Sequence, residues 1–513
     1  MTTVPHSYPE GCVFTSLADI RGKHITVMGL GLNGGGKAAV GFFLKYGAYV
    51  IVTDMKTEEQ LKPTIDAIKN DSALDKSRLV YHLGKHRIED FSSADCVIKN
   101  PGIKYEGNKY LAAAKAIETD LSIFLAFTKA PVIAVTGSKG KSSTVSAIHY
   151  GLRQAGVMAF LGGNITLSPL DFLCKTNETT PVILELSSWQ LADLRGRKSL
   201  KPRIAVITKI VPDHQNWYSN MEDYVADKRL IYADQTPDCF SIFDADEDEP
   251  GTGPVSGGTW GNLFAAESHA TILRYSRHKL LQGQYGVWQE SGTNKDFYGR
   301  LLLPDSQEPV TILRSLAVPG QHMRTNVLNA ALAMVLMGIK PEHTADILSK
   351  WEGIPHRLQY FHSWKCADHT VKFYNDSCAT VPEAAAAASQ SFGKPVVFIT
   401  GGTDKGLPQN VLAETLAGIK QDSIPVKSLY LLSGTATDKL MPLLNRKNVP
   451  YNGPYNSLAE LLTDLKAYEV SLSGSLEDDE TIVFSPGATS FGMFANEFDR
   501  GDKYMDAVKS LFT

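Results

Sequence analysis

The chain has 513 residues, 43% of them hydrophobic and 21% charged, which is enough apolar material for real cores and, at roughly 100 to 200 residues per domain, for about three domains. Its 51 basic and 55 acidic residues leave a net charge of −4, so there is no electrostatic reason to expect a nucleic-acid or membrane partner, and any phosphate binding must be local. The cysteines Cys12, Cys96, Cys174, Cys239, Cys366 and Cys378 form no C-x-x-C pair and indicate neither a disulfide framework nor a zinc site; with no signal-like N-terminus and no apolar run near ~18 residues, a soluble, cytoplasmic protein is expected.

In chain order, His24-Ile-Thr-Val-Met-Gly-Leu-Gly-Leu-Asn-Gly34 reads as a strand feeding a G-x-G-x-x-G turn, followed by a helix through Val40, Phe43 and Leu44. A second strand, Tyr49 to Thr53, ends at Asp54, an acid about 20 residues beyond the turn, where dinucleotide folds hold a ribose hydroxyl. A dehydrogenase is one reading, but the same turn serves any nucleotide diphosphate. Cys96-Val-Ile-Lys-Asn-Pro-Gly102 is a further strand with its loop, and this segment is expected to end near residue 125.

The middle segment opens with Val132-Ile-Ala-Val-Thr-Gly-Ser-Lys-Gly-Lys-Ser-Ser-Thr144, an apolar strand breaking into a glycine-rich turn, with Val145, Ile148 and Leu152 at helical spacing behind it. A strict G-x-x-x-x-G-K-[ST] loop would need glycine at Val135, so this is a shorter variant. The amides of Ser138 to Lys141 are expected to wrap a polyphosphate, Lys141 to reach its terminal phosphates and Ser142 to hold Mg²⁺. Strands Val182 to Leu186 and Ile204 to Thr208 follow, predicting a mostly parallel sheet with Gly137–Ser142, Glu185–Gln190 and Thr208–His214 converging at its carboxyl edge. Residues 244 to 309, acidic and then glycine-rich, read as a surface loop followed by short strands. From about residue 353, strands Val371–Ser377, Val396–Gly402, Leu429–Gly434 and Ile482–Gly487 predict a second doubly wound sheet, with an exposed acidic loop at Gly474–Glu480.

Glu185 ends a buried-type strand, where a carboxylate needs a cation or a donor; magnesium would be one such partner, a cap or salt bridge the other. His214, also at a strand end, would by itself be structural more often than not. Lys228 sits in the middle of the apolar face Met221, Tyr224, Val225, Ile231 and Tyr232, so it is either snorkelling or in use. Burial lowers an amine's pKa, and a neutral amine can take up CO₂ as a carbamate, an anionic metal ligand.

Together these segments resemble the Mur ligase family of peptidoglycan synthesis. Thr136-Gly-Ser-Lys-Gly-Lys-Ser-Ser143 resembles the family's T-G-[ST]-N-G-K-[ST]-T loop, Glu185-Leu-Ser-Ser-Trp-Gln-Leu191 its E-x-S-S-x-Q-L signature, and Pro212-Asp-His214 its D-H motif. Gly320-Gln-His-Met-Arg-Thr-Asn326 resembles G-x-H-N-x-x-N, Gly353-Ile-Pro-His-Arg357 a G-x-x-H-R linker, and Tyr374-Asn-Asp-Ser-Cys-Ala-Thr380 the N-D-S-K-A-T motif. Ser485-Pro-Gly-Ala-Thr-Ser490, with Arg500-Gly501 beyond it, resembles the pattern of the D-glutamate-adding members. Lys139, Met323, Cys378 and Glu497 depart from the family's asparagine, asparagine, lysine and phenylalanine.

The resemblance implies three α/β domains: a Rossmann-like domain at 1–125 holding a uridine diphosphate, a central P-loop-type ATPase domain at 126–352 and a Rossmann-like amino-acid-binding domain at 353–513. It implies that ATP phosphorylates the L-alanine carboxylate of UDP-N-acetylmuramoyl-L-alanine and that the amine of D-glutamate attacks the acyl phosphate. Lys141, Glu185, His214 and Lys228 would be catalytic, with two Mg²⁺ ions held by Ser142 and Glu185 and by His214 and carbamylated Lys228. ATP would lie against Gly137, Ser138, Lys139, Gly140, Lys141, Ser142, Ser143, Asn326, Arg357 and Asp376. Leu32, Asn33, Asp54, Asn164, Ser187 and Gln190 would hold the uridine substrate, and Thr380, Lys405 and Ser490 the amino acid. Glu497 is expected to point away from that pocket, and a monomer is expected. The rivals are a ligase for lysine or diaminopimelate, a dehydrogenase that leaves Lys141 unexplained, and a non-catalytic nucleotide sensor that has no need of Glu185, His214 and Lys228 together. Folylpolyglutamate synthases share the phosphate loop, but the extra N-terminal domain argues against them.

Overall fold

The computed structural model describes residues 5–32, 34–165, 167–213, 217–291, 297–366, 369–419, 423–472 and 479–513; His214 and Asn33 lie outside them, as does most of the Gly474–Glu480 stretch. The chain separates into two compact units, residues 1–314 with 325–348 and residues 315–324 with 349–513.

The first unit carries two sheets. Strands β1 (His24–Met28), β2 (Tyr49–Asp54), β3 (Leu79–Leu83), β4 (Cys96–Lys99) and β5 (Ile117–Glu118) form an all-parallel sheet in the order β3-β2-β1-β4-β5. The chain order reverses beside β1, and that switch point opens a crevice at the carboxyl ends of β1 and β4. The central sheet is built from β6 (Val132–Thr136), β7 (Phe160–Gly163), β8 (Val182–Glu185), β9 (Ile204–Ile207), β10 (Phe240–Asp244), β11 (Thr271–Ser276), β12 (Gly286–Ser291), β13 (Phe297–Leu302) and β14 (Val310–Leu313), in the order β14-β13-β12-β11-β10-β9-β6-β8-β7. β6, β8 and β9 are buried along their whole length, which is why they read as continuous apolar runs.

Residues 245–258 form a loop and short strands follow, as expected for the 244–309 stretch, but a helix missing from that expectation lies between them. Trp260–Glu267 is a helix capped by Thr259, whose hydroxyl accepts from Asn262 N, and β11 pairs in parallel with β10. Only β12 to β14 are an antiparallel edge. Glycines at 251, 253, 257, 258 and 261 masked the helix start, but Trp260 and Phe264 are 2% and 1% exposed and tie it to the core.

The two sheets are bolted together by ion pairs inside the unit. Lys99 at the end of β4 meets Asp193 at 2.8 Å, and Glu118 at the end of β5 meets Arg197 at 2.8 Å, all four side chains being buried. Breaking such a pair from one side costs about 3–5 kcal/mol, so these contacts tie the ends of β4 and β5 to the segment between the helix Ser188–Ala192 and β9. Burial pushes the Asp193 carboxyl up to about 6 in spite of Lys99.

The second unit holds β15 (Gln359–Cys366), β16 (His369–Asn375), β17 (Val397–Gly401), β18 (Ser428–Leu432), β19 (Asn452–Tyr455) and β20 (Glu480–Phe484), ordered β15-β16-β20-β17-β18-β19. All pairings are parallel except the edge pair β15–β16. Helices cover both faces with their apolar sides, giving separate clusters around Phe398 and Leu431 on one and Phe373 and Phe484 on the other. No helix among the described residues is long and apolar enough to cross a membrane.

Candidate active site

β6 delivers the chain into the phosphate loop, whose turn is pressed between two neighbours. A Cβ on Gly137 would lie 2.0 Å from Thr208 Oγ1, and one on Gly140 (φ +95°) would lie 2.3 Å from Asn326 Oδ1, so Asn326 is packed directly on the loop. The loop uses its amides differently from the sequence expectation. Ser138 N and Lys139 N donate to Lys209 O at 2.9 and 3.3 Å, and are therefore engaged by the strand end. Ser138 Oγ donates to Val211 O at 2.8 Å and accepts from Tyr224 Oη at 3.0 Å. Ser138 is thus scaffold. The amides of Lys141, Ser142 and Ser143 form the first turn of the helix Lys141–Gln154, where amides have no intrahelical acceptor and sit at the positive end of the helix dipole. Lys141 arches back over the loop, donating to Gly137 O at 2.9 Å and Ser138 O at 3.0 Å, whereas Lys139 is exposed and pairs with Asp213 at 3.7 Å. Gly140→Ala is expected to lower the melting temperature through left-handed strain of about 1–2 kcal/mol and to weaken ATP binding, checked by thermal denaturation and calorimetry. Unchanged ATP affinity would remove the loop from the nucleotide site.

Glu185 closes β8 beside this loop. Its Oε1 accepts from Asn164 Nδ2 at 3.2 Å, while Oε2 is buried with no hydrogen-bond partner among the described residues. A buried carboxylate oxygen without a donor is costly unless a cation answers it, so the site fits a metal ion. Asn164 serves Glu185, and Ser187 and Gln190 serve each other: Gln190 Oε1 accepts from Ser187 N at 3.0 Å and Gln190 N donates to Ser187 Oγ at 3.2 Å, a capping box that starts the short helix Ser188–Ala192.

Lys228 lies on the helix Met221–Arg229, N-capped by Asn220. It is 1% exposed, donates to Gly137 O at 2.9 Å and stands 4.5 Å from the Tyr224 ring centroid. Lys141 and Lys228 therefore converge on one carbonyl. Burial, and then the charge of Lys141, hold the Lys228 amine well below its ordinary pKa, against the opposing pull of Asp213, Asp227 and Glu185. Burial also lowers Lys141, with Glu185 and Asp213 pulling it back up. Asp227 is no partner for Lys228, being held by Tyr218 Oη at 2.7 Å and by Arg195. Burial that disfavours the protonated amine in this position fits carbamylation, which would place an anion beside Lys141.

At the carboxyl edge of the first sheet a cavity of about 730 Å³ is lined by Gly29, Gly31, Asp54, His86, Asn100 and Tyr110. Asp54 braces it, accepting from Gly31 N at 3.1 Å and from Lys56 N at 2.9 Å; Leu32 is exposed on the turn. His86, which the sequence reading did not single out, has Nδ1 2.7 Å from Thr53 Oγ1. Its only sequence signal was a histidine just after Gly84, behind a strand too weakly patterned to be recognised.

In the second unit, Asp376 accepts from Ser485 Oγ at 2.6 Å and from Leu358 N at 3.1 Å, and burial pushes its carboxyl up to about 7. Arg357 is exposed. Lys405 donates to Thr380 Oγ1 at 3.0 Å, and Ser490 is buried next to Thr489, which exchanges backbone hydrogen bonds with Thr403, so the three expected amino-acid ligands share one locale. Arg500 is the residue that sequence reasoning undervalued: 1% exposed, it donates to Ser377 O at 2.7 Å and Ala488 O at 3.0 Å and clamps two motif loops together. Glu497 opens the helix Glu497–Leu511, and its charge acts on Arg500 and Cys378.

Comparison with known proteins fits this geometry. The Mur ligase middle-domain profile matches residues 135–336, and the profile of the MurD-like N-terminal domain of Mur ligases matches residues 23–121. A UDP-N-acetylmuramoylalanine–D-glutamate ligase of Treponema pallidum (strain Nichols) is 39% identical over 96% of this chain and 98% of its own length; one from Borreliella burgdorferi (strain ZS7) is 35% identical over 96% and 99%. Among solved structures, the UDP-N-acetylmuramate-alanine ligase MurC of Thermotoga maritima superposes with a TM-score of 0.53 at 16% identity, covering 95% of this chain and 99% of that one. The MurF ligase of the same organism, in complex with ADP, gives 0.51 at 13%, covering 98% and 97%, and both share the fold. With full-length identity well above the level at which a family is shared, and its motifs gathered at one loop, the chain belongs to the Mur ligase family.

Proposed function

We propose that this chain is an ATP-dependent amide-bond-forming ligase that joins D-glutamate to UDP-N-acetylmuramoyl-L-alanine in peptidoglycan synthesis. The observation that carries the reading is the meeting of Lys141, Lys228 and an undonated Glu185 oxygen at one phosphate loop, in a chain with full-length relatives of that name. The domains divide at 1–125 for the uridine nucleotide, 126–352 for ATP and 353–513 for the amino acid.

The L-alanine carboxylate attacks the γ-phosphorus and ADP leaves. The D-glutamate amine then attacks the acyl carbon and phosphate leaves, with one proton lost from the amine. The amides of Lys141, Ser142 and Ser143 receive the phosphates, and Lys141 releases its carbonyls to follow the transferring phosphoryl group. Gly137, Lys139 and Gly140 shape the loop, and Asn326, Arg357 and Asp376 hold the nucleotide. Magnesium supplies charge neutralisation when bound; Ser142 and Glu185 would hold one ion, His214 and carbamylated Lys228 a second. Leu32, Asn33, Asp54, Asn164, Ser187 and Gln190 orient the uridine substrate, and Thr380, Lys405 and Ser490 bind the carboxylates of D-glutamate.

Phosphate release with UDP-N-acetylmuramoyl-L-alanine is expected to be stimulated by D-glutamate and not by L-glutamate, L-lysine or meso-diaminopimelate. Stimulation by lysine or diaminopimelate would reassign the step. Under the D-glutamate reading Glu497 points away from the dicarboxylate, and Glu497→Phe leaves the KM for D-glutamate within about twofold, a like-charge contact costing on the order of 1 kcal/mol or more.

A further inference from the structure

The loop at residues 100–107 has one side built into the nucleotide cavity and the other into the central sheet's approach. Asn100, Gly102, Ile103 and Gly107 line the cavity. Behind them the loop is pinned on both flanks of Lys104. Upstream, the buried Lys99 ammonium, already paired with Asp193, donates to Ile103 O at 2.8 Å and Asn100 O at 3.2 Å. Downstream, His6 stacks on Tyr105 with ring centroids 3.5 Å apart, and His6 N donates to Glu106 Oε1 at 3.0 Å. Lys104 itself is exposed. Its Nζ lies 5.4 Å from the ring centroid of Trp217, which packs against Trp189 at 4.8 Å and 37°. Trp189 stands between Ser187 and Gln190, one turn past Glu185.

An exposed cation–aromatic contact stabilises a fold only weakly, and among the described residues the loop is pinned by the contacts of Lys99, Tyr105 and Glu106. What the arrangement does achieve is placement. It holds the Lys104 charge over the Trp217–Trp189 pair, on the loop that leaves the cavity, apart from Lys56 and Lys109, which line the cavity itself. A substrate with its uridine in the cavity and its carboxylate at the phosphate loop must bring the linkage between diphosphate and sugar across this point. We infer that Lys104, held over Trp217 and backed by Trp189, is a specificity-determining residue that pairs with the sugar-proximal phosphate of a glycosyl nucleoside diphosphate. The inference rests on the substrate class proposed above.

Calorimetry on the whole protein tests it with two probes, UDP-N-acetylmuramoyl-L-alanine and UMP, which keeps the uridine and its first phosphate but lacks the second phosphate and the N-acetylmuramoyl group. Lys104→Met is expected to weaken the full substrate about tenfold or more, the size of a lost charge-assisted contact, while UMP affinity stays within about twofold. Lys104→Arg should retain binding. Trp217→Leu should weaken the full substrate in the same direction, Trp217→Phe less so, and the Lys104→Met Trp217→Leu double variant should lose less than the product of the two. In turnover the loss appears in KM for the uridine substrate, with kcat little changed. If Lys104→Met binds the full substrate like wild type, or loses UMP equally because the loop has shifted, the inference fails while the functional reading stands. Failure of the wild-type chain to bind the glycosyl nucleotide overturns both.

Discussion

Lys228→Ala is expected to abolish ligation, with a loss of about 10² to 10³ or more for removal of one charge-organising group, and acetate should restore part of it by supplying an anionic oxygen pair that chloride cannot imitate. Because the side chain is buried and donates to Gly137 O, the alanine variant also leaves a cavity, so Lys228→Met is the companion: it fills the volume without an amine and should be folded but equally inactive. The chemistry has a pH signature. Only the neutral amine takes up CO₂, and burial together with Lys141 depresses the Lys228 pKa, so carbamate occupancy rises with pH and bicarbonate and falls on acidification through the depressed value. The same shift appears in stability. Between that value and about 10.4, the ordinary lysine value, the unfolded chain binds the extra proton, so wild type gains stability with rising pH across the window. It pays the full penalty below the window, where both states are protonated, whereas Lys228→Met shows none of this. A ¹³C resonance from labelled bicarbonate that is present in wild type and absent in Lys228→Met would establish the carbamate; an active Lys228→Met enzyme would refute it.

Lys228 was legible in the sequence because a cation in the middle of an apolar helical face conflicts with the pattern around it. The strands β6, β8 and β9 were legible for the complementary reason: strands buried on both faces leave uninterrupted apolar runs. Other elements left no comparable trace. β7 is Phe160–Gly163, two apolar residues and two glycines, and β15 alternates too irregularly, with a register shift at Tyr360/His362, for its antiparallel edge to be anticipated. The helix Trp260–Glu267 was hidden by the glycines around it. Within the site, residue type was readable and hydrogen-bond allegiance was not. Ser138 looked like a phosphate ligand, but its partners Val211 and Tyr224 lie 73 and 86 residues away. Arg500 was named beside the Ser485–Ser490 motif without a role, and its bond to Ser377, 123 residues distant, is what shows it clamping two loops. Such contacts are set by tertiary placement, and local patterns carry no information about them.

Lys141→Ala should leave the fold and the uridine-nucleotide cavity intact while removing ligation, again by about 10² to 10³ or more. The side chain is half-buried and its two acceptors, Gly137 O and Ser138 O, are loop carbonyls rather than part of a core, and the cavity lined by Gly29, Asp54 and His86 belongs to a different sheet. The variant also separates two roles of the lysine. As a charge, Lys141 depresses the Lys228 pKa, so its removal should raise that pKa and thereby lower carbamate occupancy at a given pH. As a phosphate ligand, it should be indispensable even where Lys228 is modified. Measuring turnover of Lys141→Ala at saturating bicarbonate and raised pH distinguishes the two. Persistent inactivity under those conditions assigns the loss to phosphoryl transfer, whereas recovery to near wild-type turnover would show that Lys141 acts through Lys228 alone. UMP binding within about twofold of wild type, together with an unchanged melting curve, is the control that the loss is local.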